Sequence, residues 1–241
     1  MKILIVGTTP FTTELAAMCA AQSTDILSTA DMLALDRIVE PYDIVIEVEN
    51  TNVELKQEIL GKLSDEVLIL TCALVCSVSE IASWVAYPER VVGFGVLPPI
   101  PAKGVIELAR GLQTSDEAMD KAIDFWRLLG QKVVTVADGP GLVRARTVCC
   151  LINEASSAVM EGIATPADID LAMKLGTNYP LGPLAWGDYI GLDTVLGVML
   201  GLYAEWGEDR YRPSPLLKRM VLAGKLGNKS GGGFFVSEHE A

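Results

Sequence analysis

The residues that could bind a nucleotide stand near the start of the chain, where a short β-rich run ends in glycine. Lys2–Gly7 predicts a strand, and the composition from Thr12 to about Ala21 predicts a helix. Strand, turn and helix in this order begin dinucleotide-binding folds, whose turn carries the pattern G-x-G-x-x-G. Only Gly7 survives from that pattern, because Thr9 and Thr12 replace the other two glycines. Taken alone, this turn favours a structural joint over a cofactor site.

Cysteine and histidine could supply a nucleophile, a base or metal ligands. The five cysteines lie in apolar runs, at positions Cys19, Cys72, Cys76, Cys149 and Cys150. No Cys-x-x-Cys pair is present and the single histidine is His239, so we predict no metal site. We interpret the thiols as buried and free in a reducing cytoplasm, and His239 as a solvated residue of the tail.

Four basic residues are predicted to lie near the junction of the two halves of the chain: Lys103, Arg110, Arg144 and Arg146. They could attract the anionic end of a small ligand. They could equally pair with the acidic residues Asp138, Glu154 and Asp188, and we favour this second interpretation.

Composition limits the class of protein. A chain of 241 residues with 50% hydrophobic residues is globular and long enough for two domains. The net charge of −12 argues against nucleic acid as a partner, because phosphate binding needs a basic face. No apolar run reaches the roughly 18 residues that a membrane helix needs, and no signal peptide is evident, so we expect a cytoplasmic protein without a membrane partner.

The elements that must position these residues alternate through the first half. Besides Lys2–Gly7, strands are predicted at Asp25–Ser28, Asp43–Glu49, Glu66–Thr71, Arg90–Val96, Glu107–Gly111 and Lys132–Val136. Helices are predicted between them at Val53–Leu63, Val78–Trp84 and Ser115–Leu129. Near-continuous apolar strands that alternate with helices indicate an α/β fold, a doubly wound and mostly parallel sheet covered on both faces.

The second half predicts helices only. Gly139-Pro140-Gly141 stops the preceding element, and apolar residues at helical spacing predict a helix from Leu142 to about Glu161. Thr165 followed by Pro166 predicts the cap and first position of the next helix. We therefore predict an α/β domain over residues 1–137 and an all-α domain over residues 138–241.

Motifs along most of the chain carry a family resemblance. They are Pro99-x-Pro101, Arg110-Gly111-Leu112-Gln113-Thr114-Ser115, Asp138-Gly139-Pro140-Gly141, Asn153-Glu154-Ala155, Asp168-Ile169-Asp170-x-Ala172-Met173-x-x-Gly176, Tyr179-Pro180-x-Gly182-Pro183, Asp188-x-Ile190-Gly191-Leu192-Asp193, Tyr211-Arg212-Pro213-x-Pro215 and Gly227-x-Lys229-x-Gly231-x-Gly233-Phe234. In order and spacing, the chain resembles the 3-hydroxyacyl-CoA dehydrogenases. The likeness covers essentially all of residues 90–235 and is weaker before Asp43, where the chain looks shortened after the second strand.

The resemblance implies a Rossmann-like NAD-binding domain followed by a helical dimerisation domain. It implies NAD as cofactor, an acyl-CoA-type small molecule as ligand, a homodimer, and a place in fatty acid metabolism. The family reaction is NAD-dependent oxidation of an L-3-hydroxyacyl-CoA to the 3-ketoacyl-CoA. A histidine takes the hydroxyl proton, a glutamate orients that histidine, and a serine and asparagines hold the substrate oxygen.

Several reacting groups of the family are replaced in this chain. The base position is Gly95, and the positions of the serine and the two asparagines are Leu74, Pro98 and Ala145. The partner glutamate is retained as Glu107, which is either a remnant carboxylate in the cleft or a residue that is now held by a nearby Lys or Arg or is simply solvated. The cofactor-side glutamate falls on Thr51. Lys56 survives, either as a contact to the nucleotide or, as the helix alone favours, as a solvated residue.

Three functions follow from these positions. The first is a 3-hydroxyacyl-CoA dehydrogenase relative with impaired catalysis. The second is a non-catalytic protein, either a binder of acyl-CoA or nucleotide or a dimeric partner of an active paralogue. The third, ranked last because no base is visible beside either thiol, is a different chemistry that uses Glu107 with Cys72 or Cys76.

Overall fold

The computed structural model describes residues 1–7, 11–19, 23–28, 42–63, 67–98, 100 and 103–236. Contacts divide the chain into two compact units, Met1–Val143 and Arg144–Ala241. The expectations for Pro99, Pro101 and His239 concern residues outside the described set, and the predicted boundary after residue 137 stays a prediction.

The first unit contains a sheet whose central strands are buried along almost their whole length. Within the described residues the strands are β1 (Lys2–Gly7), β2 (Ser23–Ser28), β3 (Ile44–Glu47), β4 (Leu68–Cys72), β5 (Val91–Gly95), β6 (Val105–Arg110) and β7 (Lys132–Val136). Their order in the sheet is β2-β1-β3-β4-β5-β6-β7. Every neighbouring pair is parallel except β5 and β6. The predicted doubly wound, mostly parallel, Rossmann-like sheet is therefore confirmed.

The antiparallel pairing of β5 with β6 determines which residue faces Gly95. Gly95, the last residue of β5, lies directly opposite Glu107 of β6. Residues that face each other across an antiparallel pair bring their Cβ atoms to about 5 Å. Strand β6 begins at Val105 rather than at the predicted Glu107, which places Glu107 inside the strand.

Helices follow the strands, and side chains cap their first turns. The first unit contains α1 (Phe11–Met18), α2 (Val53–Gly61), α3 (Val78–Ala82) and α4 (Asp116–Leu128). Asn52, Ser77 and Ser115 each accept a hydrogen bond from a backbone N–H of the helix that follows. Such caps satisfy donors that have no partner inside the helix.

The second unit is helical, as predicted. It contains α5 (Arg144–Met160), α6 (Pro166–Thr177), α7 (Pro183–Ile190), α8 (Leu192–Trp206) and α9 (Pro215–Leu222). Helix α5 packs against α7, α8 and α9. The predicted cap is confirmed, because the Thr165 side chain accepts from the N–H of Asp168 and Pro166 is the first helical residue. In the described part of the chain, no helix has the length and apolar character required to cross a bilayer.

The predicted start of the long helix at Leu142 is wrong. Leu142 has a φ of 48° and Gly141 a φ of 73°, so the chain turns through the left-handed region before α5 begins at Arg144. Apolar spacing continued the helix too far, because Leu142 instead belongs to the apolar core of the first unit.

Two buried carboxylates of the second unit accept hydrogen bonds from backbone N–H groups. Asp170 accepts from the N–H groups of Leu184 and Ala185, both at 2.8 Å, at the start of α7. Asp188 accepts from the N–H groups of Phe234 and Phe235, at 3.0 and 2.8 Å. Both carboxylates are therefore structural.

Replacing Asp170 with Ala should lower the free energy of unfolding by about 2 kcal/mol, because two buried N–H donors at a helix start lose a charged acceptor. Chemical unfolding of the full chain measures the loss. Lys174→Ala, an exposed change on the same helix, is the control and should stay within about 0.5 kcal/mol of the unmodified chain. A similar small loss for Asp170→Ala would contradict the capping role.

Candidate functional site

The carboxyl edge of the parallel strands is the place where such sheets bind ligands. Strands β1, β3, β4 and β5 all end at this edge. The chain leaves β1 to form β2 on one side and returns to form β3 on the other. A doubly wound sheet binds dinucleotides in the crevice at this reversal of strand order.

Gly7 ends β1 at that reversal, and only glycine fits there. A Cβ atom on Gly7 would lie 2.6 Å from Cγ2 of Val48 and 3.1 Å from its backbone carbon. The absent side chain therefore lets the end of β1 approach the chain beyond β3. Residues 8–10, which complete the turn, lie outside the described residues.

A buried ion pair lies at the same edge. The Lys56 ammonium on α2 pairs with the Glu47 carboxylate at the end of β3, and both side chains are fully buried. The ammonium also donates to the carbonyl oxygens of Glu49 and Cys72, each at 3.1 Å. Glu47 accepts in addition from the Thr71 hydroxyl at 2.6 Å and from the N–H of Glu49 at 2.6 Å. This network joins β3, β4 and α2.

The interpretation of Lys56 as a solvated residue is wrong. Lys56 is buried because it pairs with Glu47 at the end of β3. The residue pattern of its own helix does not include that partner and therefore could not predict the burial. All three donors of its ammonium group have acceptors within the protein. Burial raises the pKa of Glu47, while the charge of Lys56 opposes that rise.

The loop after β3 is held by a second buried carboxylate. Glu49 accepts from the N–H of Thr51 at 2.8 Å, from its hydroxyl at 2.6 Å and from the N–H of Asn52 at 3.1 Å. Thr51, which occupies the family's glutamate position, therefore faces Glu49 of its own loop. The sequence analysis assigned no role to Glu49. An acid at the end of a buried strand is nevertheless a signal, because a buried carboxylate needs hydrogen-bond donors within the protein.

One polar atom of this loop fits a ligand. Asn50 is 1% exposed, and its amide nitrogen donates to the carbonyl of Val48 at 3.1 Å. Within the described residues, its Oδ1 atom accepts no hydrogen bond. A buried acceptor without a donor is costly, so a hydroxyl or amide donor at this edge would satisfy it. The edge therefore fits a dinucleotide at one atom, the Asn50 acceptor, while Gly7 is required by packing against Val48.

The predicted base position is filled by another side chain. A Cβ atom on Gly95 would lie 2.9 Å from Cδ1 of Leu142 and 3.2 Å from Oε2 of Glu107. Leu142 is 5% exposed and Glu107 is 9% exposed. Oε2 of Glu107 also accepts from the N–H of Val143 at 3.2 Å. Leu142 thus stands beside the retained carboxylate, and the sequence assigned it to a helix instead.

The other substituted positions offer no polar group. Leu74, which follows β4 at the same edge, is fully buried. Pro98 is half-buried beyond β5. Ala145 is buried in the second unit, on α5.

The thiols are poorly suited to nucleophilic chemistry. Burial raises the pKa of both Cys72 and Cys76 to about 12, so each stays protonated near neutral pH. A thiol acts as a nucleophile through its thiolate. The geometry therefore does not favour chemistry that combines either thiol with Glu107.

Two of the four basic residues, Arg110 and Arg146, have other partners than the predicted ones. Arg110 pairs with Asp116 at 2.9 Å. Arg146 donates to the Tyr211 hydroxyl and stacks on the rings of Tyr211 and Trp206. Asp138 accepts from the N–H groups that begin α3. Asp138, which the sequence analysis assigned to the basic residues, thus accepts from backbone N–H groups at a helix start.

Two family models match consecutive parts of the chain. Residues 12–139 match the model described as the 3-hydroxyacyl-CoA dehydrogenase NAD binding domain. Residues 141–237 match the model described as the 3-hydroxyacyl-CoA dehydrogenase C-terminal domain.

Individual proteins are similar over most of their length. A Bacillus subtilis protein named probable 3-hydroxybutyryl-CoA dehydrogenase is 38% identical over 224 residues, which cover 90% of this chain and 78% of that protein. The 3-hydroxybutyryl-CoA dehydrogenase of Clostridioides difficile is 36% identical, over 89% and 78% of the two chains. The crystal structure of (S)-3-hydroxybutyryl-CoA dehydrogenase from Ralstonia eutropha is similar with a TM-score of 0.79 and 33% identity, over 98% of each chain.

Removing one partner of the buried Lys56–Glu47 pair should strongly destabilise the folded protein. Lys56→Met and Glu47→Gln should each lower the free energy of unfolding by about 3–5 kcal/mol, because a buried charge or acceptor loses its partner. The double variant should lose less than the sum of the two single losses. Chemical unfolding of the full chain measures all three.

Lys62→Met is the matched control for this cycle. Lys62 pairs with Glu58 at 3.4 Å at the end of the same helix, but that pair is partly exposed. Its loss should cost less than about 1 kcal/mol. Additive losses for Lys56 and Glu47, or a loss at Lys62 of equal size, would show that the buried pair does not hold this edge.

Proposed function

The chain belongs to the 3-hydroxyacyl-CoA dehydrogenase family, and on that premise we propose that it is an NAD-binding member with impaired dehydrogenase activity. NAD is the cofactor of the family, whose N-terminal model matches residues 12–139. The observation that supports impairment is the glycine at position 95, which lies directly opposite Glu107 and has no side chain that could act as the base. The proposed reaction class is oxidation of a short L-3-hydroxyacyl-CoA, as named for its relatives.

The proton-transfer step depends on the chain's own residues. A general base must come within about 3 Å of the hydroxyl proton that it removes. Gly95 has no side chain for this task, and Glu107 lies against Leu142 and the N–H of Val143. NAD, when bound, supplies the hydride acceptor, but no described group replaces the base at position 95. The loss of a positioned base costs about 10²–10⁴-fold in rate.

The nucleotide end is proposed to remain competent. The support is Oδ1 of Asn50, a buried acceptor at the carboxyl edge to which a ligand can donate. We assign Lys56 a positioning role, because its donors are used by Glu47, Glu49 and Cys72.

The proposed division of the chain is an NAD-binding domain over residues 1–137 and a helical domain over residues 138–241.

A second candidate is a protein without catalysis, either an acyl-CoA or nucleotide binder or a partner of an active paralogue. The apolar residue Leu74 at the family's serine position favours it, because a buried leucine cannot hold a substrate oxygen by hydrogen bonding. Ligand binding separates the binder from the partner.

Turnover is measured by NADH consumption with acetoacetyl-CoA, beside an active member of the family as positive control. We expect a rate at least about a hundredfold below that enzyme, because proton transfer lacks its base. Titration calorimetry with NAD should show saturable binding. Any residual rate should fall in Glu107→Gln and not in the exposed control Glu117→Gln.

The outcomes separate the candidates. Turnover comparable to the active enzyme would contradict impairment. Binding of NAD without turnover supports an impaired or purely binding protein. Absence of heat and of a melting shift with both NAD and an acyl-CoA leaves the partner role.

We also propose a homodimer through the second unit. Helix α6 carries two apolar side chains one turn apart, Leu171 and Leu175, which are 56% and 79% exposed. Exposed apolar side chains on one helix face are typical of a surface that a partner covers. Leu171→Glu with Leu175→Glu should shift the protein to monomer in sedimentation equilibrium. Leu222→Glu, an exposed change on α9, is the control, and an unchanged mass for the α6 variant would contradict this interface.

A cytoplasmic location is part of the proposal. All five cysteines carry free thiols, which persist in a reducing compartment. Cell fractionation tests it, and recovery of the protein with secreted proteins would contradict it.

A further inference from the structure

A buried polar atom at the carboxyl edge of the sheet has no hydrogen-bond partner in the protein. Within the described residues two buried side-chain atoms lack such a partner, Oδ1 of Asn50 and Nε1 of Trp126. Trp126 packs against the rings of Phe94 and Phe125 in the core, whereas Asn50 follows β3 at the edge where doubly wound sheets bind ligands. A buried acceptor without a donor costs stability, so its presence at this edge indicates a ligand that donates to it.

The neighbours of Asn50 fix which atom of its side-chain amide is left for a ligand. Its Nδ2 atom donates to the carbonyl of Val48 at 3.1 Å. Burial raises the pKa of the neighbouring Cys72 thiol to about 12, while Lys56 and a hydrogen bond from Asn50 oppose that rise. Rotating the amide by half a turn would place Oδ1 against the Val48 carbonyl, where two acceptors would repel each other. Asn50 therefore offers a ligand an acceptor and not a donor.

The order of the strands decides which part of a dinucleotide can reach this acceptor. Strand β1 lies between β2 and β3. In doubly wound sheets the pyrophosphate lies at the end of β1 and the adenosine ribose at the end of the next strand, here β2. Asn50 follows β3, on the opposite side of β1. The acceptor is therefore on the side that takes the second nucleoside, which carries nicotinamide in NAD.

The position of Asn50 relative to the end of β1 narrows the choice further. The N–H of Val48 donates to the carbonyl of Val6 at 2.9 Å, and the backbone of Gly7 lies against Val48 and Glu49. Asn50 comes directly after this contact. Outward from the pyrophosphate, a dinucleotide carries first a ribose and then the base. Because the phosphate oxygens only accept hydrogen bonds at neutral pH, the first donors beyond them are the ribose hydroxyls.

We propose that Asn50 is a specificity-determining residue of the nucleotide site, and that its Oδ1 atom accepts from a hydroxyl of the ribose that carries nicotinamide. This role rests on the proposed function, because it requires NAD in the crevice. Lys56 does not take the role, since its three donors are used within the protein. A ligand without this ribose, or without its hydroxyls, leaves the acceptor unsatisfied and binds more weakly.

Titration calorimetry with three ligands tests the ribose contact on the full chain. NAD contains the second ribose and nicotinamide, ADP-ribose contains that ribose without nicotinamide, and ADP contains neither. Asn50→Leu removes the acceptor and nearly keeps the side-chain volume. It should weaken NAD and ADP-ribose each by about tenfold, the equivalent of one hydrogen bond, and leave ADP unchanged. Gln57→Leu, the same replacement of an amide at an exposed residue of α2, is the control and should leave all three affinities unchanged.

Each pattern of affinities has one meaning. A loss for NAD and ADP-ribose, with no loss for ADP, supports the contact to the ribose. A loss for NAD alone assigns the donor to the carboxamide of nicotinamide and overturns the proposal. An equal loss for all three ligands, or no loss for any, also overturns it, because Asn50 then has only a structural role or no role at this site.

A ligand series on the unmodified chain gives a second measurement, which does not depend on the folding of a variant. Two analogues of NAD lack either the 2′-hydroxyl or the 3′-hydroxyl of the nicotinamide ribose. One of them should bind the unmodified chain about tenfold more weakly than NAD, and this difference should disappear in Asn50→Leu. Equal affinities of NAD and both analogues for the unmodified chain contradict the contact.

Failure of the ribose contact can be distinguished from failure of the proposed function. None of these measurements reads turnover, so an active dehydrogenase would contradict impairment and leave the affinities interpretable. Absence of NAD binding by the unmodified chain would contradict both. NAD binding that does not respond to Asn50→Leu would contradict the ribose contact alone.

Discussion

The ammonium group of Lys56 is the interaction on which the carboxyl edge of the sheet depends. It has no access to water, and a buried charge is tolerated only where acceptors converge on it. Those acceptors come from β3, from the loop after β3 and from the end of β4. Their convergence fixes the path of the loop that carries Asn50. The nucleotide side of the edge is therefore shaped before any ligand binds.

The other side of the same edge is built on a different principle. The three atoms nearest to a Cβ built on Gly95 are two carbons of Leu142 and Oε2 of Glu107, and this oxygen also accepts from the N–H of Val143. Active sites usually hold polar groups at a cost in stability, and apolar filling removes that cost. Leu74, which stands at the family's serine position, is fully buried and belongs to this apolar side. One edge thus combines a preorganised polar loop with closely packed apolar side chains.

The sequence predicts those parts of the fold whose causes are local. Apolar strand runs placed the sheet, and Thr165 with Pro166 placed the start of α6, because caps and fixed backbone angles act within a few residues. Leu142 was assigned wrongly, because helical spacing cannot distinguish a leucine that continues a helix from one that turns back onto the preceding core. The burial of Lys56 was missed for a related reason, since its partner Glu47 belongs to another element. A glutamate within a buried apolar strand is the signal that could have identified it.

The motifs that carry the family likeness divide into two kinds, and this division limits what a likeness says about activity. Asp138, Asp170 and Asp188 all accept hydrogen bonds from backbone N–H groups. Such carboxylates are needed for the fold whether or not the protein reacts with anything. Gly95, at the position of the family's base, and Leu142, which packs beside it, are not of this kind. Because function resides in the site and not in the fold, the family motifs account for the shape of this chain, while its chemistry has to be argued at these two residues.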